Sequence, residues 1–291
     1  MKKMNKAVLD MLEHYTCQSA GDYENALREI FQELALLGLW RSKFFESAAF
    51  YGGTALRILH GLDRCSEDLD FSLMQPDKTF DFSPYCHFIE KELKAWGFPV
   101  QVTVKEKSAD SPIESAFLKA ETFKQMMLIE APEAVVGNLH RNQLLRIKVE
   151  IDTDPPPDFK TESNFLLRPI PFSVRSYTLP SLFAGKLHAL LFRKWGRRVK
   201  GRDWYDLVWY VAKGVPVDLG HFSARMRQTG QLQQETSLSK AEFKDLLEKR
   251  VMELDIGAAV ADVEPFLKNR TSIEVWSTDF FRDVVRRITV S

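Results

Sequence analysis

The chain has 291 residues, of which 45% are hydrophobic and 12% aromatic, a composition that excludes a predominantly disordered protein. Lys plus Arg and Asp plus Glu number 40 each, so the net charge does not predict binding to nucleic acid. Contact with nucleic acid would require a local basic patch. Three cysteines without C-x-x-C spacing indicate neither a disulfide framework nor a cysteine zinc site, and a reducing compartment is the simpler setting.

No signal peptide and no membrane-spanning run is predicted at the basic N-terminus or elsewhere, so we expect a cytoplasmic protein without a membrane partner. Residues 5–16 and 23–39 are then predicted as two helices. In the second helix, apolar residues such as Ile30 and Leu34 recur at helical spacing, which predicts a face that docks on a sheet. Gly38 is expected to end this helix.

The first motif follows the apolar pair Phe50 and Tyr51, which predicts a strand that runs into a Gly-Gly turn and then a helix. Without a Cβ, Gly52 and Gly53 allow backbone N–H groups to approach a phosphate closely, and the positive end of the following helix favours the same anion. Together with Thr54 they are candidate nucleotide contacts. A Gly-Gly turn alone is weak evidence for such a role.

The second motif is the triplet Asp68-Leu69-Asp70, which precedes Phe71. On an extended strand, residues two apart point to the same face, so both carboxylates can reach one site while Leu69 and Phe71 point into the core. Two adjacent carboxylates repel each other, and a hard divalent cation such as Mg²⁺ relieves that repulsion. An isolated Asp-x-Asp triplet is commonly a solvated strand face.

The order of the two motifs carries more information than either motif alone. The sequence predicts a connected βαβ-like unit, made of a strand, Gly-Gly-Thr, an amphipathic helix, a short polar loop at 63–67 and a strand with two aspartates. In such a unit the Gly-Gly turn and the two aspartates are expected to lie close together. Within the polar loop, Arg64 and Ser66 are further candidate nucleotide contacts.

The stretch GGTALRILHGLDRCSEDLDFSL resembles the signature of the AbiEii-type nucleotidyltransferase toxins, the toxin half of type IV toxin–antitoxin systems, which are related to the MenT enzymes. The resemblance extends over residues 23–288. It implies a branch of the polymerase β-type superfamily and an α+β (α/β) fold with a mixed sheet. We expect a nucleotidyltransferase domain with N-terminal helices at 1–179 and a helical domain at 180–291.

The segment after the motif is predicted to continue the sheet. A helix is expected at 82–97, a strand at 100–105 where valines alternate with polar residues, and an extended segment at 113–118. A helix of uncertain extent is then expected to end near Gly137.

The stretch LLRIKVEIDTDPPP is a half-buried strand with a charged face, because Ile147, Val149 and Ile151 alternate with charged residues. By itself such a face is usually solvated. The resemblance implies a third metal-holding carboxylate on a neighbouring strand, with Glu150 as the first choice and Asp152 as the second. Three prolines then end the strand and begin a long connection. An extended segment at 172–179 leads to a helix expected from Leu182 to about Trp195.

The stretch KLHALLFRKWGRRVKGRDWYDLVWYV contains the second constellation that resembles the family. The resemblance implies that Lys186 neutralises triphosphate charge as a compact cation and that Asp206, or else Asp203, orients this lysine or the nucleotide. Arg202 and Asp203 are also candidate nucleotide contacts.

Six cations between Arg193 and Arg202 form either a solvated turn between helices or, given the resemblance, a contact for acceptor phosphates or for an acidic antitoxin surface. The interleaved aromatic residues, including Trp204 and Tyr205, are interpreted as core, although aromatic rings can also stack a base. Further helices are expected at 237–254, 258–268 and 277–289, the first with a capping box at Ser239 and Glu242.

We therefore expect transfer of NMP from NTP to an acceptor hydroxyl, with two Mg²⁺ ions, and the resemblance implies that the acceptor is the tRNA 3′ end. The resemblance leaves a side-chain hydroxyl of a protein open as an alternative acceptor. Two other functions remain open from the residues: a non-catalytic nucleotide-binding regulator and a metal-dependent phosphohydrolase. A cognate antitoxin is an expected partner, and the sequence leaves the oligomeric state open.

Overall fold

A computed structural model describes residues 6–105, 113–121, 144–193 and 199–291. The contacts within the chain divide it into two compact units. The first comprises Met1–His60, Ser66–Pro155 and Ser163–Ser176, and the second comprises Gly61–Cys65, Pro156–Glu162 and Tyr177–Ser291. Two short segments that precede residue 163 thus belong to the second unit. The division predicted at residue 179 stays a prediction, and the helix predicted to end near Gly137 falls outside the described residues.

A mixed sheet organises the first unit, as the sequence predicts. The described strands are β1 (Ala48–Tyr51), β2 (Leu69–Leu73), β3 (Gln101–Lys105), β4 (Ile113–Glu121), β5 (Leu144–Asp152), β6 (Thr161–Leu166) and β7 (Phe172–Tyr177), in the spatial order β3-β4-β5-β2-β1-β7-β6. β2 runs parallel to β5 and antiparallel to β1. The predicted βαβ-like unit therefore has antiparallel strands and is not a parallel crossover.

Four described helices accompany the sheet, namely α1 (Lys6–Leu12), α2 (Ala20–Arg41), α3 (Gly52–His60) and α4 (Ser83–Ala95). A capping box at Ser19 and Asp22 starts α2. The helix continues past Gly38, where the sequence predicts its end. A Cβ on Gly38 would lie 2.9 Å from the carbonyl oxygen of Phe88 in α4, so this glycine serves a close helix crossing instead of a helix end.

The core of the first unit lies on the face of the sheet to which Leu69 and Phe71 point. Both side chains are fully buried, as are Val149 and Ile151 on β5. The ring of Phe44, in the short 3₁₀ turn after α2, meets the ring of Phe71 edge-on at a centroid distance of 5.1 Å. Because side chains alternate along a strand, the residues between these apolar positions point to the opposite face.

The second unit is helical. Its described helices are α5 (Leu179–Phe192), α6 (Gly201–Ala212), α7 (Leu219–Gln228), α8 (Lys240–Met252), α9 (Ile256–Val263) and α10 (Thr278–Arg286). The predicted capping box of Ser239 and Glu242 is confirmed at the start of α8. Helices α6 and α9 pack closely, since a Cβ on Gly201 would collide with the carbonyl oxygen of Ala259. In the part of the chain that the structure describes, no helix is long and apolar enough to cross a bilayer.

Glu33 in α2 is a buried carboxyl group, 5% exposed. Burial raises its pKa from 4.5 to about 7, while Arg168 and Arg57 lower it and Glu29 raises it further. The pKa of Glu33 is therefore higher in the folded state than in the unfolded state. The contribution of the protonated carboxyl group to folding stability is complete below about pH 4.5 and is lost as pH rises through about 7.

We predict that Glu33→Gln, which cannot ionise, becomes more stable than the wild type as pH rises. The difference in free energy of unfolding between variant and wild type should grow by about 3 kcal/mol from acid to pH 8, because one unit of pKa shift corresponds to about 1.4 kcal/mol. Urea unfolding at a series of pH values measures it. The surface variant Glu13→Gln is the control, and a difference for Glu33→Gln that stays as constant as the control's contradicts the prediction.

Candidate active site

The turn between β1 and α3 brings the two predicted motifs into contact. Gly52 has a backbone φ of 84°, in the region that side chains disfavour. A Cβ at this position would collide with Oδ2 of Asp70. Tyr51, the preceding residue, is the cross-strand partner of Asp70 in the β1–β2 pair. Glycine is therefore required here both by the backbone conformation and by the approach of a carboxylate.

Thr54, two residues further on, is fully buried. Its hydroxyl donates a hydrogen bond to the backbone carbonyl oxygen of Asp68 and lies 2.8 Å from the hydroxyl oxygen of Ser66. The side-chain amide of Gln32 donates to the carbonyl oxygen of Ser66 at 3.2 Å. Thr54 and Ser66 thus fix the segment that leads to Asp68, and their predicted nucleotide contacts stay predictions.

Asp70 and Glu150 are direct partners across the parallel β2–β5 pair. Their neighbours Leu69, Phe71, Val149 and Ile151 are fully buried, whereas both acidic residues are half-buried, so they share the open face of the sheet. Asp68 immediately precedes β2 and is also half-buried. The structure therefore brings together the backbone positions of the first-choice carboxylates.

Asp152, the second choice on β5, lies two residues beyond this level and is the cross-strand partner of Ser72. Its Oδ1 accepts a hydrogen bond from the backbone N–H of Asp154 at 3.1 Å. Asp152 thus has a local partner in the turn that ends the strand.

Lys148 was not among the sequence candidates. Its Nζ lies 2.5 Å from Oε1 of Glu150, and the two side chains are 37% and 30% exposed. Among the described residues, no three His, Cys, Asp or Glu side chains are gathered as a metal-binding group. The sheet therefore aligns the positions of Asp70 and Glu150, while Lys148 holds the carboxylate of Glu150. The K-x-E spacing on an alternating strand contains the signal for this pair.

In the second unit, four charged side chains form a buried cluster. The guanidinium of Arg64 donates two hydrogen bonds to the carboxylate of Asp206, from Nε to Oδ1 at 2.6 Å and from a terminal nitrogen to Oδ2 at 2.7 Å. Nζ of Lys186 lies 2.9 Å from Oδ2 of Asp206 and 2.7 Å from Oδ1 of Asp203. Two cations and two carboxylates therefore share one network.

This network is almost closed to solvent, since Arg64 is 3% exposed, Asp203 4% and Asp206 0%. Burial alone would lower the pKa of Lys186, but Asp203 and Asp206 raise it above its ordinary value. Burial would raise the pKa of Asp206, but Arg64 and Lys186 lower it. The ammonium of Lys186 and the carboxylate of Asp206 thus stay charged because each has an opposite charge beside it.

The other predicted site residues of this unit have structural neighbours. The guanidinium carbon of Arg202 lies 4.0 Å from the centre of the Phe266 ring, a cation–π contact. Trp204 and Tyr205 are 3% and 8% exposed, and the phenol hydroxyl of Tyr205 donates to Asp63 at 2.7 Å, which confirms their interpretation as core. Residues 194–198 of the basic stretch lie outside the described residues.

Residues 34–284 match the family described as "Nucleotidyl transferase AbiEii toxin, Type IV TA system". The chain belongs to the AbiEii family. The expected resemblance and the expected nucleotidyltransferase activity are thereby confirmed, and NTP is the substrate that AbiEii membership implies. No match was found among curated protein sequences.

Solved structures resemble this AbiEii chain at low sequence identity. JHP933 from Helicobacter pylori is 15% identical with a TM-score of 0.50, and the match covers 90% of this chain and 88% of that chain. MenT4, a nucleotidyltransferase toxin from Mycobacterium tuberculosis, is 15% identical with a TM-score of 0.48, and the match covers 97% and 87%. The likeness to JHP933 supports the mixed α/β fold.

We predict that Arg64→Met destabilises the AbiEii chain by about 3 kcal/mol, because it removes a bidentate partner from a fully buried carboxylate. Thermal and urea unfolding measure the effect. The matched control is Arg287→Met, which breaks the exposed pair of Arg287 and Asp283 and should cost about 0–1 kcal/mol. Equal destabilisation by the two substitutions contradicts the prediction.

Proposed function

We propose that this AbiEii chain transfers an NMP group from an NTP to the 3′ end of tRNA, in a reaction that depends on Mg²⁺. The observation that carries the proposal is the placement of Asp70 directly beside Glu150 on parallel strands, with the backbone of Gly52 against the Asp70 carboxylate. This arrangement supports a site in which the Gly-Gly turn contacts phosphates beside the acidic side chains.

The donor chemistry of these positions fits a hard divalent cation. The side chains of Asp68, Asp70 and Glu150 offer only oxygen ligands, the kind that Mg²⁺ prefers. Asp152 is the further candidate on β5. Two bound Mg²⁺ ions would neutralise charge on the triphosphate and lower the pKa of an attacking hydroxyl. Glu150 must exchange its contact with Lys148 to take part, so we propose that Lys148 acts as the counter-ion of this carboxylate in the free protein.

We propose that the turn after β1 and the start of helix α3 supply the phosphate contacts. Gly52 and Gly53 lie at the start of α3, where backbone N–H groups point out of the helix and the helix dipole favours an anion. Thr54 positions Asp68 through the carbonyl oxygen that its hydroxyl holds. The reaction forms a bond from the acceptor oxygen to the α-phosphorus and breaks the bond from that phosphorus to the oxygen that bridges it to the β-phosphate. Pyrophosphate leaves, and the proton of the acceptor hydroxyl passes to water.

Residues of the second unit remain proposed contributors. We propose that Lys186 neutralises triphosphate charge and that Asp206 and Asp203 orient its ammonium, since both carboxylates lie within 3 Å of it. Arg64 acts on Asp206 and thereby on Lys186. Arg202 remains a candidate nucleotide contact.

The basic residues near 193–202 support a proposal for the acceptor, because cations can contact the phosphates of a nucleic acid. We propose tRNA as the acceptor, the cytoplasm as the compartment where NTP and tRNA meet, and a cognate antitoxin as the partner that restrains the toxin. A side-chain hydroxyl of a protein is the alternative acceptor in this proposal.

The test incubates the protein with Mg²⁺, total tRNA and each α-³²P-labelled NTP in turn. We expect label in tRNA with at least one nucleotide, and a loss of roughly 10³-fold in Asp70→Asn, about 4 kcal/mol of barrier, because that variant loses a carboxylate proposed to hold the Mg²⁺ ions. Asp245→Asn, at an exposed position of α8, makes the same chemical change and should keep full activity.

The outcomes separate the functions. Label in protein and not in tRNA contradicts the acceptor but keeps nucleotidyl transfer. Free phosphate without label transfer indicates a phosphohydrolase, and nucleotide binding without turnover indicates a regulator. Unchanged transfer in Asp70→Asn contradicts the site.

A further inference from the structure

The first unit contains a groove of about 730 Å³ that the proposed reaction does not use. It is lined by the end of α2, the 3₁₀ turn that follows, α4, and residues of β6 and β7. Its volume lies within the range of ligand-binding clefts, about 300–1,000 Å³. We propose that this groove binds an extended acidic segment of a partner protein that carries large apolar side chains.

Apolar side chains in the groove are more exposed than such residues usually are. Trp40 is 37% exposed and Phe88 39%, and both line the groove. On the neighbouring strand β6, Ser163 lines the groove, and Phe165, two residues further on and hence on the same face, is 72% exposed. Aromatic residues are the usual anchors of protein interfaces, so this surface suits a partner with apolar side chains.

The net positive charge of the groove lining favours an acidic partner. Four basic and two acidic residues line it, in a chain whose formal net charge is zero. Arg41 pairs with Glu92 at 2.9 Å and Lys43 lies 3.7 Å from Glu46. The excess positive charge therefore corresponds to the remaining two cations of the lining, Lys91 and Arg175.

The same pairs favour a peptide over a nucleic acid strand. A polyphosphate backbone carries a charge at every nucleotide and would pass close to the carboxylates of Glu46 or Glu92. A peptide can place one or two carboxylates opposite Lys91 and Arg175 and put apolar side chains between them.

The conformation of the partner follows from the sheet. Among the described strands, β6 is the last in the sheet and has β7 on one side only. An edge strand offers its backbone N–H and C=O groups to a further strand, and a peptide added there presents every second side chain to the same face. An extended peptide on β6 can thus place alternate side chains toward the groove.

The test uses a fluorescein-labelled peptide of alternating Glu and Phe with Gly-Ser ends, measured by fluorescence anisotropy against the full chain. We expect saturable binding with a Kd of about 10 μM, weakened about tenfold by Lys91→Glu and by Phe165→Ser. Both residues are exposed, so folding is not at risk. Lys94→Glu on α4 and Val275→Ser, an exposed apolar residue of the second unit, are matched controls that should leave the Kd unchanged.

Two further measurements test how the peptide binds, namely whether it pairs with β6 and which of its side chains are recognised. Amide hydrogen exchange of β6 should slow when the peptide is bound, and peptides with Lys in place of Glu, or Ser in place of Phe, should bind at least about tenfold more weakly. The proposal is overturned if no saturable binding is measured, or if Lys91→Glu and Phe165→Ser leave the Kd unchanged. Tighter binding of a labelled oligo-U RNA, lost in Lys91→Glu, also overturns it in favour of a nucleic acid site. None of these outcomes depends on nucleotidyl transfer.

Discussion

The close contact between the backbone of Gly52 and the carboxylate of Asp70 is the constraint around which the first unit is arranged. It fixes the end of β1, because the chain must turn there with a φ of 84°, and it fixes the direction of Asp70 on β2. The parallel pairing of β2 with β5 then puts Glu150 beside Asp70. Thr54 holds the segment before β2 by its bond to the carbonyl oxygen of Asp68. One glycine thus links the turn proposed for phosphate binding to the acidic positions proposed for the metal.

The two units differ in how the charge of their acidic side chains is compensated. On the sheet, Asp70 and Glu150 are half-buried on an open face, where water and a cation can compensate their charge. In the helical unit, Asp206 is fully buried, and Arg64 and Lys186 compensate it with short hydrogen bonds. Breaking such a buried pair leaves an uncompensated charge, so the helical cluster contributes to the integrity of its unit as well as to any chemistry.

Much of this arrangement could be predicted from the sequence, because the alternation of apolar and charged residues in β5 and the Gly-Gly turn are local signals. Arg64 could not be given its partner, since Asp206 lies far away in the chain and only the fold brings them together. Gly38 was wrong as a helix end, because the sequence does not show that α4 crosses α2 there. β6 was missed because its exposed face includes Phe165 and lacks apolar alternation, so its pattern is that of a connection.

A comparison of Gly52→Ala with Gly61→Ala tests the central constraint most directly. Both glycines have positive φ, 84° and 75°, so both substitutions strain the backbone by about 1 kcal/mol. A Cβ on Gly61 meets nothing within 4 Å, whereas one on Gly52 meets Asp70. The rate of nucleotidyl transfer should fall by about 100-fold or more in Gly52→Ala, since a small misplacement of a catalytic group is enough, and should stay near the wild-type rate in Gly61→Ala. Equal rates in the two variants would contradict the account.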